Sequence, residues 1–261
     1  MISKEKNWHI ICYSSYKHKI LPELKKYISS DLLKNICKNL DEKTIIVLWW
    51  DWTMLRAIKH HYKSELPFLW INFWNKWFLL NEKKYITEKS NFEKVFYPIM
   101  TAKVSIWSKK YNDIFINELN ISAWWWKMLD LTINLSNKNK INIKWDWIVI
   151  CTPTGSTWYN SSLKWPIIPH NIPVLAITSK APWYPRNQHP IIISDNQEIQ
   201  IIRNGRLSCV ECYTDSRELY NWNDENIIIW VKKHTKKIFF LIDEKYKKNW
   251  DNKVLIEQGF Q

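Results

Sequence analysis

Asp51 stands where a buried strand gives way to a helix, in the stretch IIVLWWDWTMLRAIKHHY (45–62). A carboxylate at such a turn has two uses. It can cap the helix by accepting backbone N–H bonds, or it can act as a general base beside an anion held on the helix N-terminus. The residues around it are the puzzle: Trp49, Trp50 and Trp52 crowd the aspartate, and Thr53 follows. A phosphate-binding turn needs residues without side chains, so that backbone N–H groups can reach the ligand, and indole is the largest side chain available. A second block, CTPTGSTWYNSSLKWPIIPH (151–170), sets Gly155 among the hydroxyls of Thr152, Thr154, Ser156 and Thr157. Such a turn can surround a ribose or a phosphate. LWINFWNKWFL (69–79) and Asn117-Glu118 within FINELNIS are the remaining blocks with polar or turn chemistry.

The composition explains the crowding. The chain holds 19 Trp and 3 Gly, against about 18 Gly expected at the usual ~7%. Tryptophan stands where glycine belongs: beside Asp and Asn, before Pro, and as the run Trp124-Trp125-Trp126. Glycine supplies positive φ and close backbone approach, and tryptophan can do neither cheaply. In some genetic codes UGA means glycine, whereas a common alternative table decodes it as tryptophan. On this reading most of these letters are glycine in the cell. Residues 49–53 then become G-G-D-G-T, and 69–79 becomes LGINFGNKGFL. Trp8, Trp107, Trp230 and Trp250 lie apart from these motifs and admit a literal reading.

Read this way, the chain resembles the NAD kinase family. The family's hallmarks are a GGDG turn, an N-x-G-x-x-GF segment, an Asn-Glu or Asn-Asp pair, and a D-G-x-x-x-x-T-P-T-G-S-T-x-Y block. WWDWT, NFWNKWF, NE and DWIVICTPTGSTWY follow in the same order, across roughly residues 8–240. The resemblance implies phosphorylation of the 2′-hydroxyl of the adenosine ribose of NAD. The donor would be ATP or polyphosphate, with Mg²⁺ or another divalent cation on its phosphates. Asp51 matches the general base, and Trp49, Trp50, Trp52 and Thr53 the phosphate turn, with Arg56 one helical turn on. Asn117 and Glu118 match the pair that holds the NAD ribose and adenine. Lys127, Lys144, Asp146, Thr157, Trp158, Tyr159, Asn160, Ser161 and Ser162 match further substrate contacts. The loop before Lys127 is one residue shorter than usual. Asp215 lies in YTDSRE, where the family has D-G-Q; Ser216 and Arg217 depart from that pattern. The family is usually dimeric or tetrameric, with sites near subunit contacts, so a homodimer or homotetramer is expected.

These residues need elements to position them. WHIICYS, KTIIVL and LPFLWINF read as short buried strands, and LPELKKYISSDLLKNICKNL and TMLRAIKHHYKS as helices. This βαβαβ rhythm predicts a doubly wound α/β domain over residues 1–100, carrying the GGDG-like turn. From about residue 100 the texture changes to closely spaced alternating segments, which predicts a β-rich sandwich over 101–235 that binds NAD. Residues 236–261 are expected to pack back on the first domain, with a helix in KKIFFLIDEKYKKN.

A net charge of +13 invites a nucleic-acid partner. The lysines are spread along the whole chain, however, and with abundant Asn and Ile they fit an AT-rich gene and a solvated surface. No apolar run reaches the roughly 18 residues of a membrane span, and the N-terminus lacks a cleavable leader pattern. Neither a nucleic-acid nor a membrane partner is expected, and the location expected is cytoplasmic. Five scattered cysteines read as reduced thiols. Cys209 and Cys212 form a CxxC without a second ligand pair, and His60, His61 and His170 lack a third ligand. Two alternatives remain: a lipid or sphingoid kinase of the same superfamily, against which TPTGST followed by WPIIPH argues, and an inactive tryptophan-rich relative or binding module. In a module tryptophans should line one strand or helix face, and here they fall in turns.

Overall fold

The computed structural model describes residues 11–13, 44–48, 51–72, 81–82, 90–123, 128–136, 139–157, 163, 166–185, 189–205, 210–222, 227–244 and 247. Strands dominate. The chain divides into two compact units: Met1–Tyr97 with Lys236–Gln261, and Pro98–Thr235.

In the first unit β1 (Ile11–Tyr13), β2 (Ile45–Leu48) and β3 (Phe68–Asn72) pair in parallel. A short β4 (Asn81–Glu82) runs parallel to the end of β3. Ile45, Ile46 and Val47 in succession are fully buried, the mark of a strand covered on both faces. Helix α1 (Asp51–His61) leaves β2 and packs against it. Thr53, Met54, Ala57 and Ile58 are buried while Arg56, Lys59 and His60 are exposed, the i, i+3, i+4 pattern of an amphipathic helix. The helix expected within 21–40 lies outside the described residues.

Among the described residues the second unit is mostly strand. β5 (Phe92–Ile106) enters it and pairs antiparallel with β6 (Lys109–Phe115). Then come β7 (Glu118–Ala123), β8 (Leu129–Leu135), β9 (Lys140–Cys151), β10 (Val174–Tyr184), β11 (Ile191–Ser194), β12 (Ile199–Arg203), β13 (Val210–Thr214), β14 (Arg217–Trp222) and β15 (Ile227–Asp243). The long β9 takes β7, β8 and β10 as antiparallel partners along its length. Alternate residues of these strands, among them Leu119, Ile121, Leu131, Ile133, Ile148, Ile150, Ile199 and Ile201, form the core.

One sequence expectation fails. KKIFFLID does not form a helix: it is the end of β15, which runs parallel to β3 with Phe240 opposite Phe68. Ile238, Phe240, Leu241 and Ile242 are buried, and Tyr97 meets Phe240 edge-on at 4.9 Å. Branched and aromatic residues in succession suit a strand covered on both faces, and a buried sheet position overrides the helical reading.

Candidate functional site

Two corners of the second unit converge. β6 ends at Phe115 and β7 begins at Glu118, so Ile116 and Asn117 link them. β9 ends at Cys151, opposite Glu118, and the chain turns through Thr152 into a 3-10 turn at Thr154–Thr157. Thr152 ties the corners together. Its N–H donates to the Asn117 carbonyl at 2.9 Å, and its hydroxyl donates to the carbonyls of Ile116 and Asn117. The turn then passes against Asn117 so closely that a Cβ at residue 155 would lie 2.2 Å from the Asn117 carbonyl oxygen. Only glycine fits there. The Ser156 hydroxyl donates to Pro153 at 2.6 Å and accepts the Ile168 N–H at 2.9 Å. The Thr157 hydroxyl donates to Thr154 at 3.0 Å. Three hydroxyls of the block therefore shape the turn itself.

Glu118 is fully buried on the sheet face opposite the core, and neither carboxyl oxygen has a hydrogen-bond partner among the described residues. Burial, and secondarily the Asp215 charge, hold its carboxyl well above the usual carboxylate range. Asn120 pairs across to Val149, and Val149 to Thr178. Directly opposed residues share a face, so Asn120 and Thr178 lie beside the Glu118 row. Asn120 Oδ1 and Thr178 Oγ1 are also buried without hydrogen-bond partners among the described residues. Such atoms are costly to leave unpaired, and a ligand carrying both donors and acceptors would restore their bonds.

Asp215 closes the corner from a third side. It sits in the turn between β13 and β14 with φ of 44°, followed by Ser216 at 58°. Its carboxylate accepts three successive backbone N–H groups: Ile116 at 3.1 Å, Asn117 at 2.8 Å and Glu118 at 3.3 Å. Its own N–H donates to the Glu118 carbonyl at 2.9 Å. Burial pushes the Asp215 carboxyl up to about 6, against the pull of Arg217 and the three N–H donors. The Arg217 guanidinium lies 3.5 Å from Asp215 and 3.4 Å from Asp113, and donates to the Ile114 carbonyl at 2.9 Å. The Thr214 hydroxyl donates to Asp113 at 2.8 Å.

The structure thus brings together Asn117, Glu118 and the Thr152–Thr157 turn. Lys144 and Asp146 are exposed on β9, and Lys144 lies 3.4 Å from Asp130. Six residues of strand, about 20 Å, separate Asp146 from Thr152. In the first unit Asp51 and Trp52 open α1, Thr53 is buried in its first turn, and Arg56 is exposed. Trp49, Trp50, Lys127, Trp158, Tyr159, Asn160, Ser161 and Ser162 lie outside the described residues, as does Cys209. Cys212 is buried in the core, where burial pushes its thiol up. Sequence reasoning misses Asp113, Asn120, Thr178, Thr214 and Arg217, which belong to no motif. It also passes over Asp215, because the residues after it depart from the family pattern. The signal was there: an Asp in a two-residue turn between alternating strands.

The family model described as ATP-NAD kinase C-terminal domain matches residues 112–240, which include this whole corner. The NAD kinase of Fusobacterium nucleatum is 30% identical over 202 residues, covering 69% of this chain and 70% of that protein. The chain belongs to the NAD kinase family. The NAD kinase of Brucella suis is 25% identical over 232 residues, covering 84% of this chain and 85% of its own length. Two solved structures of NAD(H) kinases share the fold. Yeast NADH kinase complexed with NADH superposes with a TM-score of 0.71 at 16% identity, covering 87% of this chain and 69% of that one. An NAD kinase from Archaeoglobus fulgidus in complex with ATP gives 0.66 at 18% identity, covering 95% and 98%.

Proposed function

We infer that this member of the NAD kinase family transfers a phosphoryl group from ATP to the 2′-hydroxyl of the adenosine ribose of NAD. The observation that carries the reading is the Asn117–Glu118 corner, locked against the Thr152–Thr157 turn by the close approach that only Gly155 permits. Its Glu118 carboxyl is buried without a hydrogen-bond partner among the described residues, in the block where the family holds its ribose and adenine. Asp51, at the start of α1, acts as general base toward the 2′-hydroxyl. A well-placed carboxylate suffices there, because positioning and charge stabilisation dominate phosphoryl transfer. Positions 49, 50, 52 and 53 hold phosphate through backbone donors with the helix N-terminus behind them, and Arg56 adds positive charge. Residues 1–100 form a doubly wound nucleotide-binding domain, 101–235 the β-sandwich that takes NAD, and 236–261 return to the first.

Mg²⁺ or another divalent cation, when bound with the donor, would offset the charge of its phosphates. Polyphosphate is a second donor of the same chemistry. Lys127, Lys144, Asp146, Thr157, Trp158, Tyr159, Asn160, Ser161 and Ser162 supply further NAD contacts. Because Lys144 and Asp146 lie far along β9 from the Thr152 turn, they serve a site completed by a second copy in a cytoplasmic homodimer or homotetramer.

Glycine stands at positions 49, 50 and 52 of the active protein. Trp107 supports this reading: it takes φ of 49°, in the hairpin turn between β5 and β6, with 75% of its surface exposed. The test pairs two forms of the chain. With glycine at 49, 50 and 52 it should phosphorylate NAD, and Asp51→Asn in that form should lower kcat by about 10²–10⁴-fold with little change in the KM for NAD. Equal activity of the Asp51→Asn variant would remove Asp51 from the chemistry. UGG at codons 49, 50 and 52 would sink the glycine reading.

A further inference from the structure

We propose that Asp215, held by Arg217, is a positioning residue that presents Asn117 and Glu118 to NAD. The inference rests on the reading that this pair holds the NAD ribose and adenine. Asp215 reaches back across about a hundred residues of chain to collect the N–H groups of Ile116, Asn117 and Glu118 on one carboxylate, and returns its own N–H to Glu118. A hairpin turn between β13 and β14 requires none of this. Two-residue hairpin loops commonly take positive φ at both central residues, as Asp215 and Ser216 do, so the carboxylate's bonds to residues 116–118 are the observation that points beyond the turn. Fixing three successive N–H groups fixes the peptide planes of 115–118, and with them the directions in which the Asn117 and Glu118 side chains leave the backbone.

Arg217 completes the device. Its guanidinium lies between the Asp113 and Asp215 carboxylates and also bonds the Ile114 carbonyl, so one side chain braces the end of β6 and the residue that clamps the link after it. Among the described residues, the charged groups around Asp215 are Arg217 on β14, Glu118 on β7, and Asp113 on β6 behind the same guanidinium. The Thr152–Thr157 turn brings no charge. Ionised, the Asp215 carboxylate is a strong acceptor for the three N–H groups; protonated, it is a weaker one. Burial pushes its carboxyl up to about 6, and Arg217 opposes that rise. NAD affinity should therefore weaken as pH falls through about 6. Removing Arg217 moves that loss to higher pH.

The experiment measures the KM for NAD, the KM for ATP and the calorimetric Kd for NAD in the form of the chain that phosphorylates NAD. Asp215→Asn should raise the KM and Kd for NAD about tenfold, leave the KM for ATP unchanged, and flatten the acid limb of NAD affinity. Arg217→Gln should shift that limb upward by about one pH unit. A lower kcat per total protein with unchanged NAD affinity would make Asp215 a folding residue only and overturn the proposal. If Asp215→Asn does not fold, the Arg217→Gln profile decides, and an unshifted acid limb overturns the proposal. Asn117→Ala separates the two levels. If it leaves NAD binding intact, the reading of the pair falls and the inference with it. If it weakens NAD binding while Asp215→Asn and Arg217→Gln do not, only the positioning role is lost.

Discussion

Gly155 shows how one residue type can be dictated by its neighbour's backbone. Its φ is not the constraint; the constraint is the Asn117 carbonyl, which leaves no room for a side-chain carbon. Adding a single methyl forces either the Thr152–Thr157 turn or the 116–118 link to move, and both are tied by hydrogen bonds to each other. Gly155→Ala should therefore destabilise the chain by about 1–3 kcal/mol, the usual range for overpacking a dense site. It should also raise the KM for NAD, because the residue displaced is Asn117. A urea midpoint and NAD KM equal to those of the parent would refute this account of Gly155. Glu118 is the counterpart at the same corner. A buried carboxyl without a hydrogen-bond partner among the described residues is unfavourable for folding.

At the scale of elements, the first unit is held by a tie that no motif announces. Asn81, on the two-residue strand β4, is buried and satisfies three backbone groups at once. Its amide donates to the carbonyls of Trp70 on β3 and Leu241 on β15, at 3.1 and 2.7 Å, and its oxygen accepts the Asp243 N–H at 2.7 Å. β4 is too short to be stable by itself, so this side chain substitutes for the missing ladder. Asn81→Ala strands two carbonyls and one N–H in the interior and should cost about 2–3 kcal/mol. Loss of hydrogen-exchange protection at Asp243 should accompany it. Unchanged protection and stability would show that water or a shifted neighbour takes over. The strand that replaces the expected C-terminal helix belongs to the same scale: KKIFFLID carries no periodicity that distinguishes a helix from a strand buried on both faces, and only its place beside β3 decides.

At the scale of the whole molecule, two of the described tryptophans lie in opposite environments. Trp145 is 1% exposed in the core, whereas Trp107 is 75% exposed at positive φ. Left-handed backbone costs a residue with a Cβ about 1–2 kcal/mol. Trp107→Gly should therefore raise stability by about 1 kcal/mol, measured as a higher Tm. Trp145→Gly should lower stability by several kcal/mol through an unfilled cavity. A lower Tm for Trp107→Gly would weigh against a glycine there in the cell. The net charge of +13 comes from lysines spread along the whole sequence. Several lysines pair locally, Lys233 with the buried Asp195 at 2.6 Å and Lys236 with Glu65 at 2.8 Å. No helix among the described residues is long and apolar enough to cross a membrane.

The sequence by itself determined the four ordered blocks, the family they point to, α1 with its buried face, and the alternating strands after residue 100. Each of these is written in local spacing: 3.6-residue periodicity for a helix, two-residue alternation for a strand, a turn residue beside each. Only the tertiary structure decided that KKIFFLID is a strand and that Gly155 answers to Asn117. It also decided that Asp215 and Arg217 meet Asp113 beside a link about a hundred residues earlier in the chain. Such contacts depend on which strand lies beside which, and strand register between distant segments leaves no mark in local pattern.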